Sequence, residues 1–346
     1  MKYVIENDIL NKVEIEDGDT EIIIPDGVRE LYEYFDYESF PYEKREECKQ
    51  ILRASIPASL VELKLSETSH CFSELENLKE IIVDENNPVF ESIDGVLFEN
   101  KNGAKTLVAY PRGRACQEYV VPEGVTNIHR NAFDCIFNGP FDLKFPKSLK
   151  SVDMRCSGTY NVIKSVTIYD NLSCDFCDED WGYYDTWFWN RNSMSNLVIT
   201  VLSANDDTVK YKMPLMFSVD RGTKADEACA EAGMAFNPIN SADLSVIDKC
   251  YEVTRDKELK LMTAAYRIGW PHMLSTETKE KYEKYLRRYI KLAVETAIKK
   301  EYFELIEVFI NNKIIEKSAY PQILDAVDDP QYKETKDLLQ AYYEGL

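Results

Sequence analysis

The 346-residue chain has no run of 18 apolar residues, so no segment of it reads as a membrane-spanning helix. Glu6 and Asp8 interrupt the first apolar stretch, so no secretory leader core is visible. Basic residues are scarce: 41 Lys and Arg face 61 Asp and Glu, a formal net charge of -20. That balance excludes a general electrostatic surface for nucleic acid or anionic lipid. Glycine and proline, 13 of each, are too few for a collagenous or low-complexity chain. Histidine is almost absent. His70, His129 and His272 are the three, and none sits in a Gly-x-Ser-x-Gly or His-Glu-x-x-His phrase. The nine cysteines are odd in number and irregular in spacing, which speaks against a secreted disulfide framework and for reduced, mostly buried thiols. The chain therefore reads as cytoplasmic, or as a cell-surface protein if an export signal has been removed.

What is present is a repeat. A ten-residue phrase runs apolar, any, apolar, Pro, any, Gly or Ser, apolar, any, any, apolar. It spans 22–31, 54–63, 119–128 and 143–152, with prolines at Pro25, Pro57, Pro122 and Pro146. Alternating apolar residues before the proline predict a short strand with one buried face. Proline cannot donate to the next rung, so the strand stops there. Proline then suits position i+1 of a type I turn, with Gly or Ser at i+3. One unit cannot bury its own apolar face, whereas stacked copies can. Leu78-x-x-Ile81-x-Val83, Ile163-x-x-Val166-x-Ile168 and Met194-x-x-Leu197-x-Ile199 fill the gaps as copies without proline. Asn102-Gly103 between two apolar runs predicts an inserted hairpin.

These phrases, with Asn131-Ala132-Phe133-Asp134-Cys135 and the segment Ser92–Phe98, resemble the BspA-like leucine-rich repeats of bacteria. The resemblance covers roughly residues 1–205. It implies a non-enzymatic binding scaffold, since relatives of this kind include surface proteins with adhesive roles.

Beyond Val201 the repeat fades. Asp206–Phe217 reads as a closing hairpin with Asp206-Asp207 at its turn. From Lys224 the period becomes helical. Tyr282, Leu286, Tyr289, Ile290, Ala293, Ala297 and Ile298 form one helix stripe. A second run covers Phe303–Ile310, a third Ile323–Val327, and Asp329-Pro330 supplies an N-cap and a Pro at N1 for a last helix. Ser275 or Thr276 starts another helix, and Trp270-Pro271 ends the one carrying Leu259, Met262 and Tyr266. Five to seven short antiparallel helices are expected.

Two candidate sites fall in the insertion Asp170–Asn192. Trp181, Tyr183, Tyr184, Trp187, Phe188 and Trp189 lie within nine residues, beside Asp178, Glu179, Asp180 and Asp185. Such aromatics either cap a core or form a platform for a protein or carbohydrate ligand. Cys174 and Cys177 form a Cys-x-x-Cys, a weak metal or redox candidate: zinc wants a second pair, and the flanking carboxylates oppose a thiolate. Lys284, Arg287, Arg288, Lys291, Lys299 and Lys300 form a basic stretch. Residues 1–274 carry 29 basic and 47 acidic side chains, against 12 and 14 beyond, so this stretch could support self-association with the acidic repeat part.

The expected architecture is α+β in two parts. An irregular β-rich leucine-rich-repeat solenoid covers 1–222, with an inserted hairpin and the aromatic loop, and a helical bundle or helix-pair domain covers 223–346. The expected function is protein–protein or protein–ligand recognition, without catalysis and without a cofactor. The alternatives are a metal or redox role at the cysteine pair and an intracellular structural role.

Overall fold

The computed structural model describes residues 1–32, 45–64, 72, 75–129, 132–133, 136, 138–139, 142–152, 163–172, 198–214, 244, 247–248, 251–252 and 254–345. The chain divides into two compact units, Met1–Ser193 and Met194–Leu346.

The first unit is built of short strands. A hairpin of β1 (Lys2–Glu6) and β2 (Ile9–Glu14) turns through Asn7 and Asp8, both at positive φ as a type I′ turn requires. After it the strands alternate between two ladders. β3 (Glu21–Ile23), β5 (Arg53–Ile56) and β7 (Glu80–Val83) pair parallel in one. β4 (Glu30–Tyr32) and β6 (Glu62–Lys64) extend β2, also parallel, in the other. A single-turn helix, α1 (Arg45–Cys48), precedes β5. An antiparallel meander follows: β8 (Phe90–Ile93), β9 (Val96–Lys101) and β10 (Ala104–Ala109). Its turns, Asp94-Gly95 and Asn102-Gly103, hold both residues at positive φ, so the expected hairpin stands and gains a third strand. The two ladders then resume. β11 (Glu118–Val120), β13 (Asp142–Lys144) and β15 (Ser165–Tyr169) are parallel in one. β12 (Asn127–Ile128) and β14 (Ser151–Val152) are parallel to β10 in the other.

Each proline phrase is thus the corner between two ladders, linking β3 to β4, β5 to β6, β11 to β12 and β13 to β14. Ile24, Ile56, Val121 and Phe145, the residues before the four prolines, are all buried at equivalent strand ends. Burying such a side chain contributes roughly 1.5–3 kcal/mol. The turn itself differs from the expected one. Val28, Leu60, Val125 and Leu149 donate to the carbonyls of Pro25, Pro57, Pro122 and Pro146 at 3.2–3.4 Å, so proline occupies position i and not i+1. Gly27 (φ 90°) and Gly124 (φ 91°) then stand at i+2, where a type II turn needs the left-handed region. Position i needs only a carbonyl, which proline keeps.

Consecutive corners are also bonded to one another. The Gly27 amide donates to Ser59 Oγ at 2.9 Å, and the Gly124 amide to Ser148 Oγ at 2.8 Å. Those bonds span 32 and 24 residues, the same spacing as the prolines, which explains why Gly and Ser alternate at one position of the phrase. Asn171 Nδ2 reaches back to the Lys147 carbonyl at 2.9 Å in the same manner.

In the second unit β16 (Val198–Leu202) and β17 (Val209–Pro214) form an antiparallel hairpin. Asp206 and Asp207 lie in its turn as expected, while β16 begins before the span anticipated from the sequence. Helices follow: α2 (Lys257–Gly269), α3 (Thr276–Arg288), α4 (Ile290–Lys299), α5 (Glu304–Asn311), α6 (Tyr320–Leu324) and α7 (Lys333–Glu344). Asp256 caps α2 by accepting from the Leu259 amide at 3.0 Å, and Trp270 closes it before Pro271. Ser275 caps α3 through the Thr278 amide at 3.1 Å. Asp329 accepts from the Gln331 amide at 3.0 Å and starts a 3₁₀ turn, Pro330–Tyr332, that leads into α7. The single stripe expected from Tyr282 to Ile298 is two helices. The chain leaves helical geometry at Tyr289 (φ -123°, ψ 29°), yet Tyr282, Leu286, Ile290, Ala293, Ala297 and Ile298 all enter one core.

Candidate functional site

The alternation of burial along the ladder strands decides which residues face out. In the phrases, the third residue before proline (Ile22, Ala54, Tyr119, Leu143) is buried, as is the residue next to proline. The fourth and second residues before it point outward. Parallel pairing puts these in register. Glu21, Arg53 and Glu80 form one rank, and Ile23, Ser55 and Ile82 another. On the later ladder the ranks are Glu118, Asp142, Ser165 and Val120, Lys144, Thr167.

The ranks mix charge with open apolar surface. Arg53 Nε donates to Glu80 Oε1 at 2.7 Å, and that bond is the main cause of a raised guanidinium pKa. Ser55 Oγ donates to Glu21 Oε1 at 2.6 Å, and Ser165 Oγ to Asp142 Oδ1 at 2.6 Å. Between these polar rungs Ile23 is 57% exposed, Val120 53% and Ile82 40%. Aliphatic side chains thus stand open on the ladders beside ranks that carry carboxylates and a guanidinium.

Beside the meander lies a polar knot. Tyr110 Oη and Cys116 Sγ are 3.0 Å apart, and the Arg114 guanidinium grips the Asp94 carbonyl and carboxylate. Tyr110, Tyr119 and Phe133 pack ring to ring at 5.0–6.4 Å. Burial raises the pKa of both tyrosines, so both stay protonated. Gly113 lies so close to Asn77 that a Cβ would fall 2.3 Å from the Asn77 backbone. These contacts brace the segment after β10 against the Asn77–Leu78 backbone and the Asp94 turn.

The second unit buries a charge. Arg267, 1% exposed, makes a two-pronged bond to Asp248, with Nε–Oδ1 and Nη2–Oδ2 both 3.0 Å. Its Nη1 donates to the His272 carbonyl at 2.8 Å, and Tyr282 Oη donates to Asp248 Oδ1. Burial, then the Asp248 bond, raises the Tyr282 pKa. Every prong of the guanidinium and carboxylate so described is satisfied, as a buried pair requires. The His272 ring stacks on Tyr211 at 5.4 Å, and burial, followed by Lys210 and Arg267, lowers its pKa.

The sequence candidates fare unevenly. Trp181, Tyr183, Tyr184, Trp187, Phe188 and Trp189 lie outside the described residues, as do Cys174, Cys177 and His70. Among the described residues no group of three or more His, Cys, Asp or Glu side chains is placed to hold a metal ion, so the metal alternative gains no support. Among them, too, no helix is long and apolar enough to cross a membrane. The basic stretch is largely paired nearby: Arg287 with Glu283 at 3.2 Å, Lys291 with Glu295 at 3.9 Å, Lys299 and Lys300 with Glu258 at 4.0 and 3.7 Å. The outward ranks were missed as a site, although aligning the four prolines puts Glu21, Arg53, Glu118 and Asp142 in one column. The Arg267–Asp248 pair had no local signal, because its members are 19 residues apart in different elements.

Solved structures similar to about half of the chain are bacterial leucine-rich repeat proteins. One is a leucine-rich repeat protein from Eubacterium ventriosum, 21% identical, TM-score 0.35, with 45% of this chain and 38% of that one covered. A second is a leucine rich cell surface protein from Faecalibacterium prausnitzii, 17% identical, TM-score 0.30, with 53% and 59% covered. A third is the pneumococcal vaccine antigen PcpA, 18% identical, TM-score 0.28, with 45% and 44% covered. The chain thus spans less than two thirds of each of these proteins. No family model matches it, and no curated protein does. The cytoplasmic reading is corrected by these neighbours, one described as a cell surface protein and one as a vaccine antigen. That reading rested on the odd, irregularly spaced cysteines and on the apolar stretch interrupted at Glu6 and Asp8, and neither fixes a compartment.

Proposed function

We propose that the chain is a non-enzymatic recognition scaffold, with the first unit a leucine-rich-repeat solenoid that binds a protein through the outward ranks of its ladders. The observation that carries this reading is the in-register row Ile23–Ser55–Ile82 beside Glu21–Arg53–Glu80. The inward positions are accounted for by packing, whereas the outward apolar residues Ile23, Ile82 and Val120 are left largely open. A stable scaffold with an adaptable outer face is what repeat architectures provide. The test is a paired capture and melting measurement on the full chain carrying Ile23→Asp, Ile82→Asp and Val120→Asp together. Capture of its protein partner should fall at least tenfold with melting nearly unchanged. Undiminished capture would remove the ladder face from the account.

The aromatic insertion is proposed as a second contact surface, on the strength of its six aromatics and acidic rim, for a protein or carbohydrate. Trp187→Ala and Trp189→Ala should then abolish capture at constant melting temperature. A stability loss of roughly 3–5 kcal/mol each, with capture intact, would make these residues core fillers instead.

A further inference from the structure

We propose that β1 is a pairing edge for a second copy of this chain, two β1 strands joining antiparallel about a two-fold axis at Val4. β1 is the outermost strand of its sheet, in the order β1-β2-β4-β6, and among the described residues only β2 pairs with it. Four of its five residues are exposed, with Val4 at 41% and Ile5 at 40%. A free strand edge is a row of unused amide and carbonyl groups, and proteins ordinarily blunt it with proline, a bulge or a central charge. β1 carries no proline, and its charges stand only at its two ends. The irregularity in the hairpin lies on β2: Val4 faces Lys12 and Ile5 faces Leu10, so Asn11 is the extra residue and β1 is left unbroken.

The strand's sequence is complementary to itself. Reversed about Val4, Lys-Tyr-Val-Ile-Glu sets Lys2 against Glu6 of the second copy, Tyr3 against its Ile5, and Val4 against its Val4. One face of the joint then carries two ion pairs flanking a valine pair, and the other carries two Tyr–Ile pairs. A two-fold joint is self-complementary by definition, and this pattern satisfies it at every position. Lys2 is now 3.3 Å from Glu16, both well exposed, a surface pair that exchanges at little cost. β6 has a similar pattern over three residues, but its Lys64 is already bonded to Glu30 at 2.6 Å. Five paired residues make a small interface, so the association belongs to the weak, transient class.

The experiment is sedimentation of the full chain up to about 500 µM, a range suited to interfaces of that class. Wild type should show a monomer–dimer equilibrium. Lys2→Glu and Glu6→Lys should each weaken it on the order of tenfold, because one change alters two symmetry-related pairs. An equimolar mixture of the two variants should recover wild-type dimerisation, and that recovery also shows both are folded. Val4→Cys should give, on mild oxidation, a dimer linked between the two copies of position 4, since facing Cα atoms in an antiparallel pair lie about 4.5–5.5 Å apart. A wild type that stays monomeric, single reversals that dimerise normally, or a mixture that fails to recover would each overturn the proposal.

Discussion

The two units stabilise their interiors by different means. Among the described residues, the five buried side chains of Ser, Thr and Arg (Ser203, Thr254, Thr263, Arg267 and Thr296) belong to the second unit, while the core of the first is largely aliphatic and aromatic. The first unit instead carries polar bonds at its corners, where an amide of one copy meets a hydroxyl of the next, and along its outward ranks. Its corner bonds link successive copies at the spacing of the prolines. The second unit depends on one buried pair whose members lose more by isolation than they gain by contact.

The largest effect should come from breaking the buried pair. Asp248→Ala leaves Arg267 uncompensated and should destabilise the second unit by on the order of 3 kcal/mol, near the lower end for a buried pair because Asp248 is 19% exposed. Denaturant unfolding followed in parallel with hydrogen exchange locates the loss. An effect below about 1 kcal/mol would show the pair to be no more than a surface bridge. Next comes Val121→Ala, which removes two buried carbons from a ladder end. It should cost about 1–3 kcal/mol in the first unit, read by the same unfolding curve.

Two tyrosines sharpen the contrast. Tyr282→Phe takes a donor from Asp248 and should cost about 1–2 kcal/mol. Tyr119→Phe should be neutral or stabilising by melting temperature, because the buried Tyr119 hydroxyl has no hydrogen-bond partner among the described residues. Equal losses at both sites would erase the difference between the units.

The smallest effect concerns pH. The His272 pKa is lowered from its ordinary 6.5, so the folded state holds fewer protons there than the unfolded chain. That contribution is present above pH 6.5 and is lost as pH falls through the lowered folded value. A shallow loss of stability below pH 6.5 should follow and should flatten in His272→Gln. A variant with the same slope as wild type would place the titration elsewhere.

The first unit was the more legible in sequence for a physical reason. Its pattern has period two, and each phrase repeats the same strand and corner, so burial at Ile24, Ile56, Val121 and Phe145 could be read directly. The turn was misassigned because Pro-x-Gly satisfies more than one turn position, and only the positive φ of Gly27 separates them. Helix starts at Ser275 and Asp329 were legible because capping is local. The break at Tyr289 was not, since the apolar period runs through it without a proline or glycine to mark it. The Arg267–Asp248–Tyr282 contact joins elements distant in sequence, and such contacts leave no periodic trace.

The central claim is that phrase position alone sets the outward register of the ladders. Disulfide capture across adjacent strands tests it most directly. Ile23→Cys combined with Ser55→Cys, which are register partners on the outer face, should crosslink within one chain on mild oxidation, because their Cα atoms lie within disulfide reach. Ile22→Cys combined with Ser55→Cys, one residue out of register and on opposite faces, should not. Crosslinking of the second pair in preference to the first would contradict the ladder register, and with it the recognition face built on it.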